Sequence, residues 1–262
     1  MLEANNLTFK AGSREIVSDV SVQFPPGGLT LVIGPNGAGK STLIKLLAGL
    51  VRPHAGSVKY DGIDIRETNE RELAKHRAVL SQTVEVAFPL SVKEVVMMGR
   101  YPHFGNAPGE VDNDIVAELL HSFDLTGLSD RNYQALSGGE RQRVNFARVL
   151  AQISNSANTD DTRRRYLFLD EPLTFLDIAH QIEFMKRVDD FARSPNVVTV
   201  GVIHDLNIAS RYADQIVVLH EGRVEAAGTG ADVLQTDLIR RVFNVKPTFV
   251  PFDQSGMYMI FD

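Results

Sequence analysis

The chain has 262 residues, of which 44% are hydrophobic, so it can bury a sizeable core, which argues against a disordered chain. Its formal net charge is −6 and it contains no cysteine. An acidic chain lacks the basic face of most nucleic-acid-binding proteins, and a chain without thiols has neither disulfides nor thiolate metal sites. We therefore expect a globular protein of the cytoplasm with no nucleic-acid partner.

The hydropathy pattern disfavours membrane-spanning and secreted proteins. The longest clean apolar run, residues 197–203, is far shorter than the ~18 residues that cross a bilayer. The first five residues, MLEAN, lack the charged and apolar regions of a signal peptide. We expect a chain that is neither secreted nor itself membrane-spanning.

The first informative segment is a strand, a glycine-rich loop and a helix in that order. Residues 29–33 (LTLVI) form a short apolar run that predicts a buried strand, and residues 34–41 (GPNGAGKS) follow it. A helix is predicted next, because leucines recur at positions i, i+3, i+4 and i+7. These leucines are Leu43, Leu46, Leu47 and Leu50.

The loop fits the pattern G-x-x-x-x-G-K-[S/T], whose backbone N–H groups surround phosphate oxygens at a helix N-terminus. Lys40 would reach the β- and γ-phosphates, Ser41 would ligate Mg²⁺, and Thr42 would place a second hydroxyl near the α-phosphate. The alternative is a chance glycine turn, which the position between a strand and a helix disfavours. The predicted nucleotide-binding residues are Gly34, Pro35, Asn36, Gly37, Ala38, Gly39, Lys40, Ser41 and Thr42.

The middle of the chain differs from its two ends. Continuous apolar runs at residues 166–169 and 197–203 predict parallel strands covered on both faces. Between the first strand region and these runs, the pattern predicts helices at residues 92–99, 111–123 and 140–153. We therefore predict an α/β core with a mostly helical insertion of about residues 83–154, followed by a polar surface loop at 154–165.

The next motif is residues 136–143 (LSGGERQR). Ser137 and Glu140 have the spacing of a capping box, so this segment could simply begin a helix. Gly138 and Gly139 behind the capping serine would also leave an open helix N-terminus that can hold an anion. The residues by themselves leave both interpretations open.

Three further polar side chains follow the apolar runs. Asp170 and Glu171 follow the first run directly, and His204 follows the second. The carboxyl ends of parallel strands are where α/β proteins bind ligands, although a helix N-cap or a surface position would also account for such residues.

These motifs together resemble the nucleotide-binding domain of ABC transporters over almost the whole chain. The resemblance is carried by the phosphate loop and by residues 136–140 (LSGGE), 169–172 (LDEP) and 202–205 (VIHD). It implies a P-loop NTPase core with a parallel sheet, an N-terminal antiparallel β part and an inserted helical subdomain. The single domain 1–262 would divide into a core of about residues 1–82 and 155–262 and a helical subdomain of about 83–154.

The resemblance also implies residue roles. Residues 136–140, hereafter the signature segment, would bind through Ser137, Gly138 and Gly139 to ATP held by a partner subunit, so that a homodimer sandwiches its ATP molecules. Asp170 would hold Mg²⁺ through water and Glu171 would act as the base that polarises the attacking water. Lys40 and His204 would both contact the γ-phosphate, and Gln82 would approach Mg²⁺ and the attacking water. Asp177 would belong to the site as well, although its position is also explained if it only caps a helix N-terminus.

One position departs from the family. An aromatic residue that stacks on adenine is expected near the N-terminus, where this chain has Ala11. Phe9 is a possible substitute or a core residue of the first strand. Nucleotide binding would then depend mainly on the phosphates.

Two segments are similar to the iron-chelate importers among ABC transporters: residues 91–103 and 174–181. That resemblance implies an ATPase at the cytoplasmic face of the inner membrane that works with a permease dimer and a periplasmic binding protein. The chain is most similar to the haem importers of this group, so haem is the expected cargo, and ferric siderophores or vitamin B12 are the alternatives. A soluble ABC ATPase and a non-hydrolysing scaffold are the more distant alternatives. Tyr101 and His103 are expected to face the permease or to pack internally rather than to ligate haem.

Overall fold

The structure, a computed structural model, describes residues 1–81, 88–155, 163–174, 176–252 and 256–261. The strands in chain order are β1 (Leu2–Ala11), β2 (Arg14–Phe24), β3 (Leu29–Ile33), β4 (Ala55–Tyr60), β5 (Ile63–Asp64), β6 (Arg77–Leu80), β7 (Arg165–Asp170), β8 (Val197–Val202), β9 (Gln215–His220), β10 (Arg223–Gly228), β11 (Pro247–Phe252) and β12 (Gly256–Phe261). The helices are α1 (Lys40–Leu47), α2 (Glu70–His76), α3 (Val92–Met98), α4 (Glu110–Ser122), α5 (Gly138–Ile153), α6 (Ile178–Ala192), α7 (Leu206–Tyr212), α8 (Gly230–Val233) and α9 (Thr236–Phe243).

The centre of the molecule is a sheet with the strand order β10-β9-β3-β8-β7-β6. All neighbouring strands are parallel except β10, which pairs antiparallel with β9. Strands β3 and β8 are buried along their whole length, as continuous apolar runs predict for strands covered on both faces. The prediction of an α/β fold with a parallel sheet is confirmed, and the carboxyl ends of β3, β7 and β8 lie at one edge.

The N-terminal residues form a second, antiparallel sheet with the order β2-β1-β4-β5. Its apolar side chains, including Leu7 and Phe24, share a core with α1 residues such as Leu43 and Leu47. This is the antiparallel β part that the family resemblance implied. It brings β2 next to the phosphate loop, because Ser18 N of β2 donates to the Gly222 carbonyl oxygen at the β9–β10 turn and Gly222 N donates to the Ala38 carbonyl oxygen.

The regular secondary structure described between β6 and β7 is helical, apart from a single bridge between Ser91 and Asn132, and turns and irregular segments join the helices. Helices α3, α4 and α5 begin and end within two residues of the helices predicted from periodicity. They share one apolar core with the sheet, which includes Val144 and Phe146 of α5 as well as Leu167 and Leu169 of β7. The subdomain boundaries near residues 83 and 154 stay a proposal. Much of the predicted surface loop, residues 156–162, lies outside the described residues.

The C-terminal hairpin of β11 and β12 was not predicted from the sequence. It is anchored to α7 because Asn207 Nδ2 donates to the Met259 carbonyl (3.1 Å) and Met259 N donates to Asn207 Oδ1 (2.7 Å). In the part of the chain that the structure describes, no helix is long and apolar enough to cross a membrane.

Candidate nucleotide site

The phosphate loop lies between β3 and α1 and requires glycine at its two ends. Gly34 and Gly39 have φ values of +155° and +99°. A Cβ atom at Gly34 would lie 2.0 Å from the Leu219 carbonyl oxygen, and one at Gly39 would lie 2.5 Å from the Ile16 carbonyl oxygen. Both backbones therefore pass too close to neighbouring strands for any side chain.

Lys40 is the first residue of α1 and is buried. Its Nζ donates to the carbonyl oxygens of Gly34 (2.8 Å) and Pro35 (2.9 Å), so the ammonium group is held at the start of the loop. Burial lowers the pKa of Lys40, while the nearby carboxylates of Glu171 and Asp170 act in the opposite direction. The arrangement keeps a positive charge where a phosphate chain would lie.

Ser41 and Asp170 come together from α1 and the end of β7. Burial raises the pKa of Asp170, and the nearby Ser41 hydroxyl opposes this shift. Asp170 Oδ1 is buried and has no hydrogen-bond partner among the described residues. A buried carboxylate oxygen without a donor, next to a serine hydroxyl, fits a hard cation or its bound water.

Glu171 follows β7 and His204 follows β8, the neighbouring strand. His204 Nε2 lies 2.8 Å from Glu171 Oε1, and their side chains are 45% and 24% exposed. The backbone of Glu171 is left-handed, with φ +51°. Such a conformation is uncommon for residues other than glycine and is often found at functional sites.

Lys40, Ser41 and Glu171 border one open cavity of about 260 Å³. Arg14 and Ile16 of β2 also reach it, and they line a neighbouring cavity of about 450 Å³ as well. The lining residues of the first cavity are Arg14, Ile16, Asn36, Gly37, Gly39, Lys40, Ser41, Thr42 and Glu171.

Arg14 stands opposite Ala11 in the β1–β2 register, so the two side chains share one face of the sheet. Its guanidinium group has no hydrogen bond or ion pair within the described part of the chain. Phe9 instead packs edge-on against His54, with ring centroids 5.3 Å apart, and does not line the cavity. The structure therefore places Phe9 as a packing residue and leaves Arg14 beside the cavity.

The signature segment lies elsewhere. Ser137 caps α5, with a complete capping box in which Ser137 N donates to Glu140 Oε2 (2.7 Å) and Glu140 N donates to Ser137 Oγ (3.3 Å). Gly138 follows as the first residue of α5. The described residues that line the phosphate-loop cavity do not include Ser137, Gly138 or Gly139. The chain thus carries two separate surfaces that could contact phosphates.

Asp177 lies beside the signature segment. It caps α6 by accepting from the backbone N–H of His180 (2.9 Å), and this bond is the first cause of its lowered pKa. His180 Nδ1 is 2.8 Å from the same carboxylate oxygen. A Cβ atom at Gly139 would lie 2.8 Å from the His180 ring, so that ring packs directly on the signature glycine. Gln82 lies outside the described residues.

Sequence reasoning missed Arg14, Gln142 and His180. Gln142, on the helix that begins at the signature segment, donates from Nε2 to the Pro172 carbonyl oxygen at 2.6 Å. The contacts of Gln142 with Pro172 and of His180 with Gly139 join residues that are distant along the chain, and Arg14 reaches the cavity because β2 packs beside the phosphate loop, so no local pattern could have revealed these roles.

A glycine-rich loop that holds a buried lysine between a buried strand and a helix, with carboxylates at the end of a parallel strand nearby, defines a P-loop nucleotide hydrolase. The chain's residues 17–174 match the family model described as "ABC transporter". The chain belongs to the ABC transporter family, as the ATP-hydrolysing cassette.

Similar proteins and structures agree with this family assignment. The chain is 42% identical over 245 residues to the hemin import ATP-binding protein HmuV of Agrobacterium fabrum, covering 94% of this chain and 92% of that protein. It is 38% identical over 248 residues to the protein of the same name from Escherichia coli O157:H7, with 95% and 94% covered. Among solved structures it is similar to an inward-facing ABC transporter described as of the metal-chelate type (TM-score 0.82, 25% identity, 100% and 96% covered). A dimeric bacterial ABC transporter cassette also matches (TM-score 0.73, 25% identity, 88% and 99% covered).

Proposed function

We propose that this chain is the ATPase subunit of a bacterial importer of haem and that it works as a homodimer. The curated relatives named above, both hemin import ATP-binding proteins, support haem as the cargo because they match at 38–42% identity over nearly the whole chain. The ATPase itself need not touch haem, so the cargo is inferred from these relatives rather than from a haem site.

The observation that supports a dimer is the separation of the two proposed phosphate-binding surfaces on one chain. Lys40 and Ser41 border the cavity at the phosphate loop, whereas Ser137 and Gly139 lie on another surface. A second copy arranged head to tail would bring its signature segment over the first copy's cavity. Two copies would then complete two nucleotide sites, with Asp177 beside each signature segment at the interface.

Within each site, we assign the phosphates to the backbone N–H groups of the phosphate loop and to Lys40. Ser41 and Asp170 would hold Mg²⁺, which would supply positive charge to the phosphate oxygens, and Gln82 would approach from the segment that leads to the helices. The orphaned Asp170 Oδ1 supports this assignment. Mg²⁺ and ATP are thus the proposed cofactor and substrate.

Glu171 is the proposed base. Its carboxylate borders the cavity and contacts His204, which would sense the γ-phosphate from the end of the neighbouring strand. The carboxylate would orient the attacking water and accept its proton. Arg14 and Ile16 would contact the nucleobase of ATP. They reach the cavity on the side where Ala11 replaces the aromatic residue of the family.

We assign permease binding to the surface formed by the helical subdomain, which contains α3, α4 and α5, and by the end of α1. Tyr101 is 59% exposed, and Arg71 joins this surface to α2 by donating to the carbonyl oxygens of Pro102 (3.0 Å) and Phe104 (2.7 Å). A cavity of about 480 Å³ beside it is lined by Leu50 and other residues that follow α1. We place the dimer at the cytoplasmic face of the inner membrane, below a permease dimer that receives haem from a periplasmic binding protein.

The cycle we propose begins when ATP closes the dimer, because each ATP contacts both subunits. Closure would move the helical part and change the conformation of the permease, and hydrolysis would reopen the dimer. His103 is not required as a haem ligand, since its Nε2 is engaged with the Gln152 carbonyl oxygen at 2.7 Å.

The test is growth of the iron-starved bacterium with Lys40→Ala, supplied with haem, a ferric siderophore or an iron salt as the sole iron source. Loss of growth on haem alone is expected. Loss on the siderophore with growth on haem intact would change the cargo, and growth on every source would contradict an iron-import function. A vitamin B12-dependent growth assay with the same variant checks the remaining cargo.

A further inference from the structure

The chain segment that follows Glu171 is held by side chains from two helices. Gln142 Nε2, from α5, donates to the Pro172 carbonyl oxygen at 2.6 Å. Gln181 Nε2, from α6, donates to the Leu176 carbonyl oxygen at 3.0 Å. The first of these bonds acts on the residue immediately after the proposed base.

Glu171 needs such restraint because its backbone is left-handed, with φ +51°. A non-glycine residue in this region is strained and persists only where the surroundings fix it. Its N–H donates to the Val202 carbonyl oxygen (3.2 Å), and its own carbonyl oxygen accepts from Thr174 Oγ1 (3.1 Å). Proline has no N–H, so the carbonyl is the only backbone group through which Pro172 can be held by a hydrogen bond.

The helix that supplies Gln142 is the one that begins at the signature segment. Ser137 is its N-cap, and Gln142 lies little more than one turn further along. Val144, Phe146 and Val149 of the same helix are fully buried against the core, so its first turns form one rigid unit with the rest. A shift of the helix at Ser137 would therefore move the Gln142 amide and the Pro172 carbonyl with it.

We propose that Gln142 is a positioning residue that holds the Pro172 carbonyl and thereby fixes Glu171 for hydrolysis, so that the rate depends on where α5 lies. This inference rests on the proposed function, in which Glu171 polarises the attacking water. Since Ser137 would contact nucleotide bound by the partner subunit while Glu171 serves the nucleotide on its own chain, the Gln142 bond links the two sites of the dimer.

The principal test is Gln142→Met, which keeps the length and apolar stem of the side chain and removes the N–H donor. A displaced base predicts a fall in kcat of about 10- to 100-fold, because a misplacement near 1 Å has effects of that order. ATP affinity and ATP-driven dimerisation should be unchanged. The matched control is Gln235→Met, which removes an amide that also donates to a backbone carbonyl, that of Ala231, away from the cavity. It should keep the wild-type kcat.

The second readout is non-additivity. If Gln142 acts through Glu171, adding Gln142→Met to Glu171→Gln should lower the residual rate no further. A general packing role would instead lower the residual rate again and weaken ATP binding. Gln142→Glu, which has nearly the same size and no donor when ionised, replaces the methionine variant if that variant does not fold.

The outcomes separate the two proposals. A wild-type kcat in a folded Gln142 variant, together with a slow Glu171→Gln enzyme, would overturn the positioning role alone. A wild-type kcat in Glu171→Gln would overturn the proposed function and the inference that rests on it. A slow Gln142→Met enzyme with normal ATP affinity and no additional loss in the double variant supports both.

Discussion

His204 Nε2 lies 2.8 Å from Glu171 Oε1 across the carboxyl ends of two neighbouring strands. The register that aligns Asp170 of β7 with Val202 of β8 brings these side chains together. The pair borders the phosphate-loop cavity through Glu171, so the proposed base and the proposed phosphate sensor are in direct contact. Several consequences can be measured on the purified protein.

Glu171→Gln should retain ATP binding and ATP-driven dimerisation while hydrolysis slows by ~100-fold or more, the usual effect of removing a general base. The amide keeps an oxygen that can accept from His204 but cannot take a proton from water. Steady-state ATPase activity and equilibrium nucleotide binding, measured in parallel, check this expectation. Unchanged ATPase activity would remove Glu171 from its role.

Ser137→Ala should separate the two interpretations of the capping box. Loss of the cap alone lowers the free energy of unfolding by about 0.5–2 kcal/mol. If Ser137 also contacts a partner's ATP, ATP-driven dimerisation should fail under conditions where the protein is fully folded.

The control for this experiment is Ser91→Ala, which removes the serine of an equivalent capping box at the start of α3. It should cost similar stability and leave dimerisation of the isolated protein intact. Equal behaviour of the two variants in the dimerisation assay would show that Ser137 is only a cap.

Arg14→Ala should weaken nucleotide binding by about 3- to 30-fold, the range expected when a partly exposed cation–π contact is lost. The value of kcat at saturating ATP should change little, because Arg14 is proposed to contact the nucleobase and not the phosphates. ATP and GTP should lose affinity to a similar extent, since a guanidinium group can stack on either base. Titration with both nucleotides provides the measurement.

Phe9→Leu is the matched comparison, because Phe9 packs on His54 and does not line the cavity. It should leave both affinities at the wild-type level. Weaker binding in Phe9→Leu combined with normal binding in Arg14→Ala would reverse the assignment.

His103 should make the protein less stable at acidic pH. Burial holds the pKa of His103 below 6.5, an effect opposed by its bond to the Gln152 carbonyl and by Asp112, and reinforced by the positive charges of Arg100 and Lys75. Because the folded pKa is depressed, the unfolded chain binds more protons as the pH falls through about 6.5, and the stability contributed by the neutral ring is lost below that value.

The measurement is the free energy of unfolding of wild type and His103→Gln at pH 7.5 and 5.5. The advantage of the wild type over the variant should shrink at the lower pH. The same measurement on His121→Gln, which changes an exposed histidine on α4, provides the control for replacing a surface histidine. A constant difference between wild type and His103→Gln at both pH values would contradict the expectation.

The phosphate loop and most of the strands and helices around it could be predicted from local sequence. Residues 34–41 specify the phosphate loop because lysine, serine and two sterically required glycines must be close along the chain, and the buried strands β3, β7 and β8 follow from continuous apolar runs. Helices α3, α4 and α5 follow from apolar periodicity and capping residues in the same way. The residue period that marks a helix or a strand, and the caps that begin a helix, can be read from a few neighbouring residues.

The tertiary structure alone decided which of these segments meet. Strand order and register bring His204 to Glu171 and place Arg14 opposite Ala11, and helix packing brings Gln142 to the Pro172 carbonyl. It also separates the signature segment from the phosphate loop of the same chain and adds the β11–β12 hairpin. The contacts of His204 with Glu171 and of Gln142 with Pro172 have no local period or spacing, because each depends on how distant elements bury their apolar faces against one another.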